Sequence, residues 1–255
     1  MRRILLCAAL LLGASPLGAD LAELKARGTL RVIVAAEEAV ETFDPSGSAG
    51  GFERELVDGF ARLEGLKLEV LAAKSYPERI PLLLAGKGDL IVAIFDTPER
   101  RQQVAFTTEV MPTYNVAVTL RPQPAPKDLD ELRKLKVGVL KGTAPVDDVV
   151  TAGITSLQKF ESSQAMLQAL QRGEVTALVM PVSELALSTK TQPALQAGVQ
   201  VGASGQVAWA VRREDAALRA ALDRHLANVH RSAAWNRLLV KYFGEQAPLV
   251  LGHRH

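Results

Sequence analysis

Thr97-Pro98-Glu99-Arg100 is the stretch of this chain best suited to meet an anion. A threonine hydroxyl ahead of a proline reads as a helix N-cap with proline at the first helical position, which leaves backbone N–H groups pointing out of the helix start toward a negative charge. Arg100 adds a guanidinium fork, which gives two parallel charge-assisted bonds to a carboxylate. The same residues equally describe a capped surface helix carrying a solvated arginine. Gly142-Thr143 before Ala144-Pro145 repeats the arrangement: a strand end, a glycine, then a hydroxyl cap. It too reads either as a binding turn or as an ordinary helix start. Phe43 and Tyr76 fall in loops rather than on core faces, in a chain that is only 5% aromatic. Loop aromatics either cover the apolar part of a bound molecule or act as satellite packing.

Other chemistries find no support. There is no Gly-rich phosphate loop, no Ser-His-Asp pattern and no clearly placed pair of cleft carboxylates. The histidines are His225, His230, His253 and His255, and no pair has metal-ligand spacing with a third ligand nearby. They are expected to be solvated, with no metal or cofactor bound. Cys7 is the single cysteine and lies within the first nineteen residues, where Arg2 and Arg3, an apolar run from Ile4 to Leu12 and small residues ending at Ala19 read as a cleavable signal. Leu5 and Leu6 are the wrong neighbours for lipid attachment, so a periplasmic protein that is not a lipoprotein is expected, without thiols or disulfides once processed. Removing residues 1–19 takes two of the 30 basic residues and none of the 28 acidic ones, leaving 28 against 28. A neutral balance argues against a nucleic-acid or anionic-membrane partner.

The elements that must position these residues alternate. Leu30 to Ala35 reads as a strand, and Glu53 to Leu63 as a helix with Leu56, Val57, Phe60 and Leu63 on one face. Leu68 to Leu71 is a strand, Ile80 to Ala85 a helix ended by Gly86, and Leu90 to Phe95 a strand buried on both faces. The pattern restarts with a strand at Val116 to Leu120, a Pro-rich connector from Arg121 to Pro126 and a strand at Lys136 to Leu140. A helix near Ser163 to Gln171 and a strand at Val175 to Val179 follow. After the Gly-rich stretch Gly198 to Gly205 come a strand, Val207 to Val211, and two helices marked by Leu218, Leu222, Leu226, Val229 and by Trp235, Leu238, Leu239, Tyr242, with Asp215 and Ser232 as N-caps. Strand alternating with helix is the α/β signature.

About 236 residues beyond the signal are more than one core usually holds, so two lobes are expected. Lobe 1 would comprise residues 20–117 and 208–247, lobe 2 residues 118–207, with 248–255 as a C-terminal tail. The chain would cross between lobes near Val118 and Trp209, a two-strand hinge, and a ligand would sit at the carboxyl ends of the strands.

Gly51-Phe52-Glu53, Ile80-Pro81-Leu82 to Gly88-Asp89-Leu90, Thr97-Pro98-Glu99-Arg100, Lys136-Val137-Gly138-Val139 with Lys141-Gly142-Thr143, and Lys241-Tyr242-Phe243-Gly244 together resemble the family 3 bacterial extracellular solute-binding proteins, in the family's order and over residues 28–245. The resemblance implies the two-lobed type II periplasmic-binding-protein fold, each lobe a mostly parallel sheet flanked by helices. Phe43-Asp44-Pro45, Ser183-Glu184-Leu185-Ala186-Leu187 and Val207-Ala208-Trp209-Ala210 are further similar to the solute-binding-like module of the membrane-bound lytic murein transglycosylase F family. There a separate catalytic domain follows the module; none is expected here, nor its activity.

From the resemblance, Arg100 grips a ligand carboxylate beside Thr97, Gly142 and Thr143 hold the ligand from lobe 2, and Phe43 and Tyr76 line the cleft. The family's ammonium-binding aspartate falls on Pro181 within Met180-Pro181-Val182, and Phe95-Asp96 replaces a small residue and serine. Asp96 or Glu184 then stands as the substitute acidic group. The resulting expectation is a monomeric, non-enzymatic receptor that captures a small polar, amino-acid-like carboxylate for an ABC permease. A sensor or accessory module for muropeptides is the alternative, and a cyclohexadienyl-type dehydratase is the third reading.

Overall fold

The apolar runs of the sequence become strands whose successive residues feed two different cores. The computed structural model describes residues 21–36, 38, 42–48 and 50–251; the expected signal, Cys7, His253 and His255 lie outside the described residues. In chain order the elements are α1 (Leu21–Arg27), β1 (Thr29–Ala35), α2 (Phe52–Glu64), β2 (Lys67–Ala73), α3 (Arg79–Leu84), β3 (Leu90–Phe95), α4 (Pro98–Arg101), β4 (Ala105–Phe106) and β5 (Met111–Leu120). Then come α5 (Leu129–Arg133), β6 (Val137–Leu140), α6 (Pro145–Thr151), β7 (Leu157–Phe160), α7 (Ser163–Gln171), β8 (Ala177–Pro181), α8 (Val182–Ser188), β9 (Leu195–Val211), α9 (Ala216–His230), α10 (Ala233–Phe243) and α11 (Ala247–Leu251).

Sheet order is β2-β1-β3-β9-β5-β8-β6-β7. Strands β2, β1 and β3 run parallel at one end and β8, β6 and β7 run parallel at the other, while β5 and β9 pair antiparallel between them. The pleat explains the layering, since neighbouring side chains point to opposite faces. Along β1, Val32 and Val34 pack with Phe60, Trp209 and Leu222, whereas Ile33 between them packs with Leu83 and Ile91. Along β8, Leu178 and Met180 join the Met166 and Leu170 cluster, while Ala177 and Val179 join Val139 and Val149. Both halves of the sheet are therefore covered on both faces, the arrangement parallel strands require.

A buried ionic cluster fixes the start of β3. Asp89 is fully buried and accepts from the Arg31 backbone N–H at 2.9 Å and its guanidinium at 2.7 Å, and from Arg27 at 2.5 Å. Arg212, also buried, donates to the carbonyls of Leu83 and Gly88 and pairs with Asp215 at 2.9 Å. Asp215 takes the expected N-cap position of α9 but turns its carboxylate to Arg212 and makes no side-chain cap bond, whereas Ser232 caps α10 by accepting from the Ala234 N–H.

Several expectations shift. The strand expected from Val207 to Val211 begins earlier: the Gly-rich stretch 198–205 lies inside β9, seventeen residues long, held extended by backbone pairing with β5. Leu63 is 67% exposed, off the buried face of α2. The strand expected from Val175 to Val179 runs Ala177–Pro181. Residues Ala247–Leu251 form α11, in which Val250 is fully buried and the Leu249 carbonyl accepts the Tyr114 hydroxyl at 3.0 Å, so the described part of the expected C-terminal tail, 248–251, packs against β5. Strand β5 is bulged between Thr113, opposite Gly205, and Asn115, opposite Val201. Val118 already pairs with Leu178 of β8, and Trp209 lies between Ala208 and Ala210, which pair with β3.

Candidate functional site

Where the two halves of the sheet meet, a cavity of about 910 Å³, mouth included, is lined from both sides. Glu38, Glu53, Tyr76, Arg79, Ala93 and Arg100 come from one half, and Leu140, Thr143, Met166, Met180, Pro181 and Glu184 from the other.

Arg100 reaches it from a four-residue helix. Thr97, extended at φ −118°, accepts the Arg100 N–H on its hydroxyl at 3.4 Å, and Pro98 takes the first helical position. The Arg100 guanidinium donates to the Phe95 carbonyl at 2.9 Å. Burial, then the charge of Arg79, pushes its pKa down to about 10, with Asp147 of the facing half pulling it up. It is a cation at neutral pH. The next residue, Arg101, points outward and pairs with Asp96 at 2.5 Å.

Arg79 is the second guanidinium of the cavity and only 2% exposed. It donates to the carbonyls of Val92 and Ala93 at 3.1 and 3.2 Å, and Glu38 stands 3.9 Å away. Ala93 has φ +50°, a left-handed conformation that a residue with a Cβ seldom adopts, at an irregularity in the β3–β9 pairing. Arg79 thus holds the strained bend that carries Phe95 and Arg100 into the cavity.

Two carboxyls face the same space, Glu53 buried and Glu184 half-buried. Glu53, in the first turn of α2, accepts the indole N–H of Trp209 at 2.5 Å. Desolvation raises its pKa to about 8, against the lowering by that bond, so it is largely protonated at neutral pH. Glu184, in the first turn of α8, is also raised by burial, partly countered by Ser163. The sequence points to no pair of cleft carboxylates; Glu38 and Glu53 line the cavity beside the expected Glu184.

A model of the bacterial extracellular solute-binding proteins, family 3, matches residues 30–245. The chain belongs to this family. Among curated relatives, the membrane-bound lytic murein transglycosylase F of Pseudomonas syringae pv. tomato is 26% identical over 233 residues, covering 88% of this chain and 47% of that protein. The chain thus spans about half the length of the curated relatives it matches. Among solved family 3 structures, the solute receptor for L-cysteine of Neisseria gonorrhoeae superposes with a TM-score of 0.79 at 25% identity, over 89% of this chain and 96% of that one. Holo ArgBP from T. maritima gives 0.74 at 28%, over 87% and 99%.

Against the expected family 3 contacts, Tyr76, Arg100, Thr143 and Glu184 line the cavity, and Pro181 does so at the end of β8. Four residues need correction. Phe43 is fully buried in the core of the first half, with the Arg54 guanidinium 5.4 Å over its ring. Gly51, at φ +116°, passes so close that a Cβ there would meet the Phe43 Cα at 2.8 Å. Asp96 is taken up by Arg101 and by Gln206 at 2.7 Å, and Thr97 serves only as the cap. Gly142 lies against Pro77 of the other half rather than in the cavity. Thr143 lines the space, yet its hydroxyl donates back to the Leu140 carbonyl at 2.6 Å and caps nothing; Ala144 is the N-cap of α6.

Two cavity residues escaped the sequence reading. Glu53 stands in the sequence only as the end of Gly51-Phe52-Glu53, and Arg79 directly before Ile80-Pro81-Leu82, where a charge beside an apolar run is the one available signal. The histidines are less solvated than expected: His225 is buried between Phe60 and Trp209 with its Nε2 3.0 Å from the Leu56 carbonyl, and burial lowers its pKa. His230 Nε2 lies 2.9 Å from the Val110 carbonyl.

Proposed function

We propose that this chain is a solute receptor whose two lobes, residues 20–117 with 208–247 and residues 118–207, close on a small polar solute bearing a carboxylate. The observation that carries this reading is Arg100: a largely buried cation, one bond committed to its own backbone, facing a cavity lined from both halves. An enclosed guanidinium of this kind binds a carboxylate strongly, because water is excluded and the fork matches the two oxygens. Tyr76 covers the solute beside Arg100, and Thr143 and Glu184 meet it from lobe 2. The antiparallel pair β5 and β9, which joins the two halves of the sheet, serves as the hinge. Exported to the periplasm by residues 1–19, the monomeric receptor delivers its solute to an ABC permease without chemistry of its own.

A second reading is favoured by the relatives. Lytic murein transglycosylase F proteins carry a matching region over about half their length, so a sensor or accessory role toward cell-wall fragments fits the same cavity. A thermal-shift screen of amino acids, small dicarboxylates and muropeptides on the purified protein separates the two. A solute at a hundredfold excess over its dissociation constant adds about 2.7 kcal/mol, roughly 5 to 10 °C at this size. Shifts confined to muropeptides favour the second reading, and no shift from any class removes both.

A further inference from the structure

We propose that the C-terminal helix α11 is a strap across the two halves of the molecule, which must release one half before the cavity opens and so holds the ligand-free protein toward its closed form. This rests on the reading of two hinged lobes and needs no solute to be known.

Strands β5 and β9 join the halves through backbone pairing, and α11 adds a join made by side chains. Its five residues divide between two cores. Val250 is fully buried in the core of the first half, and Ala247 and Leu251 pack on the same cluster, which includes Phe52 and Phe243. Leu249 packs instead on the cluster of the second half, with Met166, Leu178 and Met180. The carbonyl of Leu249 accepts the Tyr114 hydroxyl at 3.0 Å, so the helix is tied to β5 as well. It lies against α10 of the first half and α8 of the second, where Ala186 and Leu187 already reach the first core. Leu187 and Phe243 line the cavity, which places this joint behind the cavity wall.

The halves are drawn together in this arrangement, with Gly142 against Pro77 and Tyr76 packed on the second core. Turning one half about β5 and β9 shifts the seat of Leu249 relative to that of Val250. A helix of five residues is only about 7.5 Å long and rigid, so it cannot follow both seats. Opening therefore returns apolar side chains to water, which opposes it. Closed and open forms then differ by contacts that involve no solute, as a population shift requires.

Small-angle X-ray scattering of the ligand-free protein reads the effect. Truncation after Gln246 is expected to raise the radius of gyration by about 1 Å over the ~17–18 Å of a compact chain of this length. Leu249→Ala and Tyr114→Phe should each raise it by a smaller, measurable amount, and they decide the matter if the truncated chain fails to fold. Phe43→Leu, a core change remote from α11, should leave the value at that of wild type. Gly142→Ala obstructs the approach to Pro77 and should raise it, which shows that the halves part. A rise in Gly142→Ala with the strap variants unchanged overturns the strap alone and leaves hinged lobes standing. So does a wild type as extended as Gly142→Ala, or an equal rise in Phe43→Leu. If no variant changes the value, the strap and the hinged lobes both fall.

Discussion

The guanidinium of Arg79 lies 4.9 Å over the ring of Tyr76, which lines the cavity, while its N–H groups tie down the carbonyls of Val92 and Ala93. One side chain therefore supports the aromatic wall and holds the strained bend leading to Arg100. Arg79→Met is expected to lower stability by about 2–4 kcal/mol, because it orphans buried carbonyls and leaves Glu38 without its nearby cation. Urea unfolding reads the loss. Arg79→Lys should recover only part of it, since a single ammonium cannot reach the carbonyls in the geometry of a planar fork.

Stability should depend on pH through Glu53. Its folded pKa, about 8, lies above that of an unfolded glutamate, so the folded state holds the proton more tightly. The resulting stabilisation is complete below about pH 4.5 and is lost as pH rises through 8, by at most roughly 5 kcal/mol. Glu53→Gln keeps an acceptor for Trp209 and removes the titration. Denaturation midpoints at pH 5, 6.5 and 8.5 should fall more steeply for wild type than for the variant, and the difference isolates Glu53 from Asp215, whose pKa burial raises to about 6. Parallel curves would contradict the assignment.

Gly142 joins the halves beside the cavity. Its φ of +73° strains any residue with a Cβ, and a methyl there would come 2.5 Å from the Pro77 Cγ. Gly142→Ala should cost about 1–2 kcal/mol in the ligand-free protein. It should also weaken binding of the solute found in the screen about tenfold, because the closed approach of the halves is obstructed. Unchanged affinity would show that this contact plays no part in closure.

Phe43 and Asp96 should be silent in binding. Phe43→Leu removes core volume and is expected to cost about 1–2 kcal/mol, with solute affinity within twofold. Asp96→Asn breaks a pair whose arginine is largely exposed, so less than about 1 kcal/mol is expected and again no loss of affinity. A tenfold loss in either variant would return that residue to the site.

How much was legible follows from how each element is held. Strand β3 and helix α7 appear with the bounds read from the sequence, because an apolar run flanked by charge and a serine-led amphipathic segment are local signals. The first part of β9 was not legible. Gly198, Gln200, Gly202 and Ser204 have no strand preference, and the long partner β5 imposes the extended form. Arg100 was found through a local cap motif. Arg79 and Glu53 were missed because their burial depends on contacts with β3 and Trp209 that no local pattern encodes. Phe43 failed for the converse reason: its loop folds inward over α2 and carries the ring into the core.

Adjacent arginines offer the most direct test of the central claim. Arg100 faces the cavity and Arg101 faces solvent, so equal changes of charge at the two positions should have unequal effects. Calorimetric titration of the strongest carboxylate from the screen should show Arg100→Ala losing at least about a hundredfold in affinity, as expected when one partner of an enclosed charge pair is removed. Arg101→Ala should stay within about twofold. Equal losses, or none at Arg100, would contradict a receptor whose cavity holds its solute by this cation.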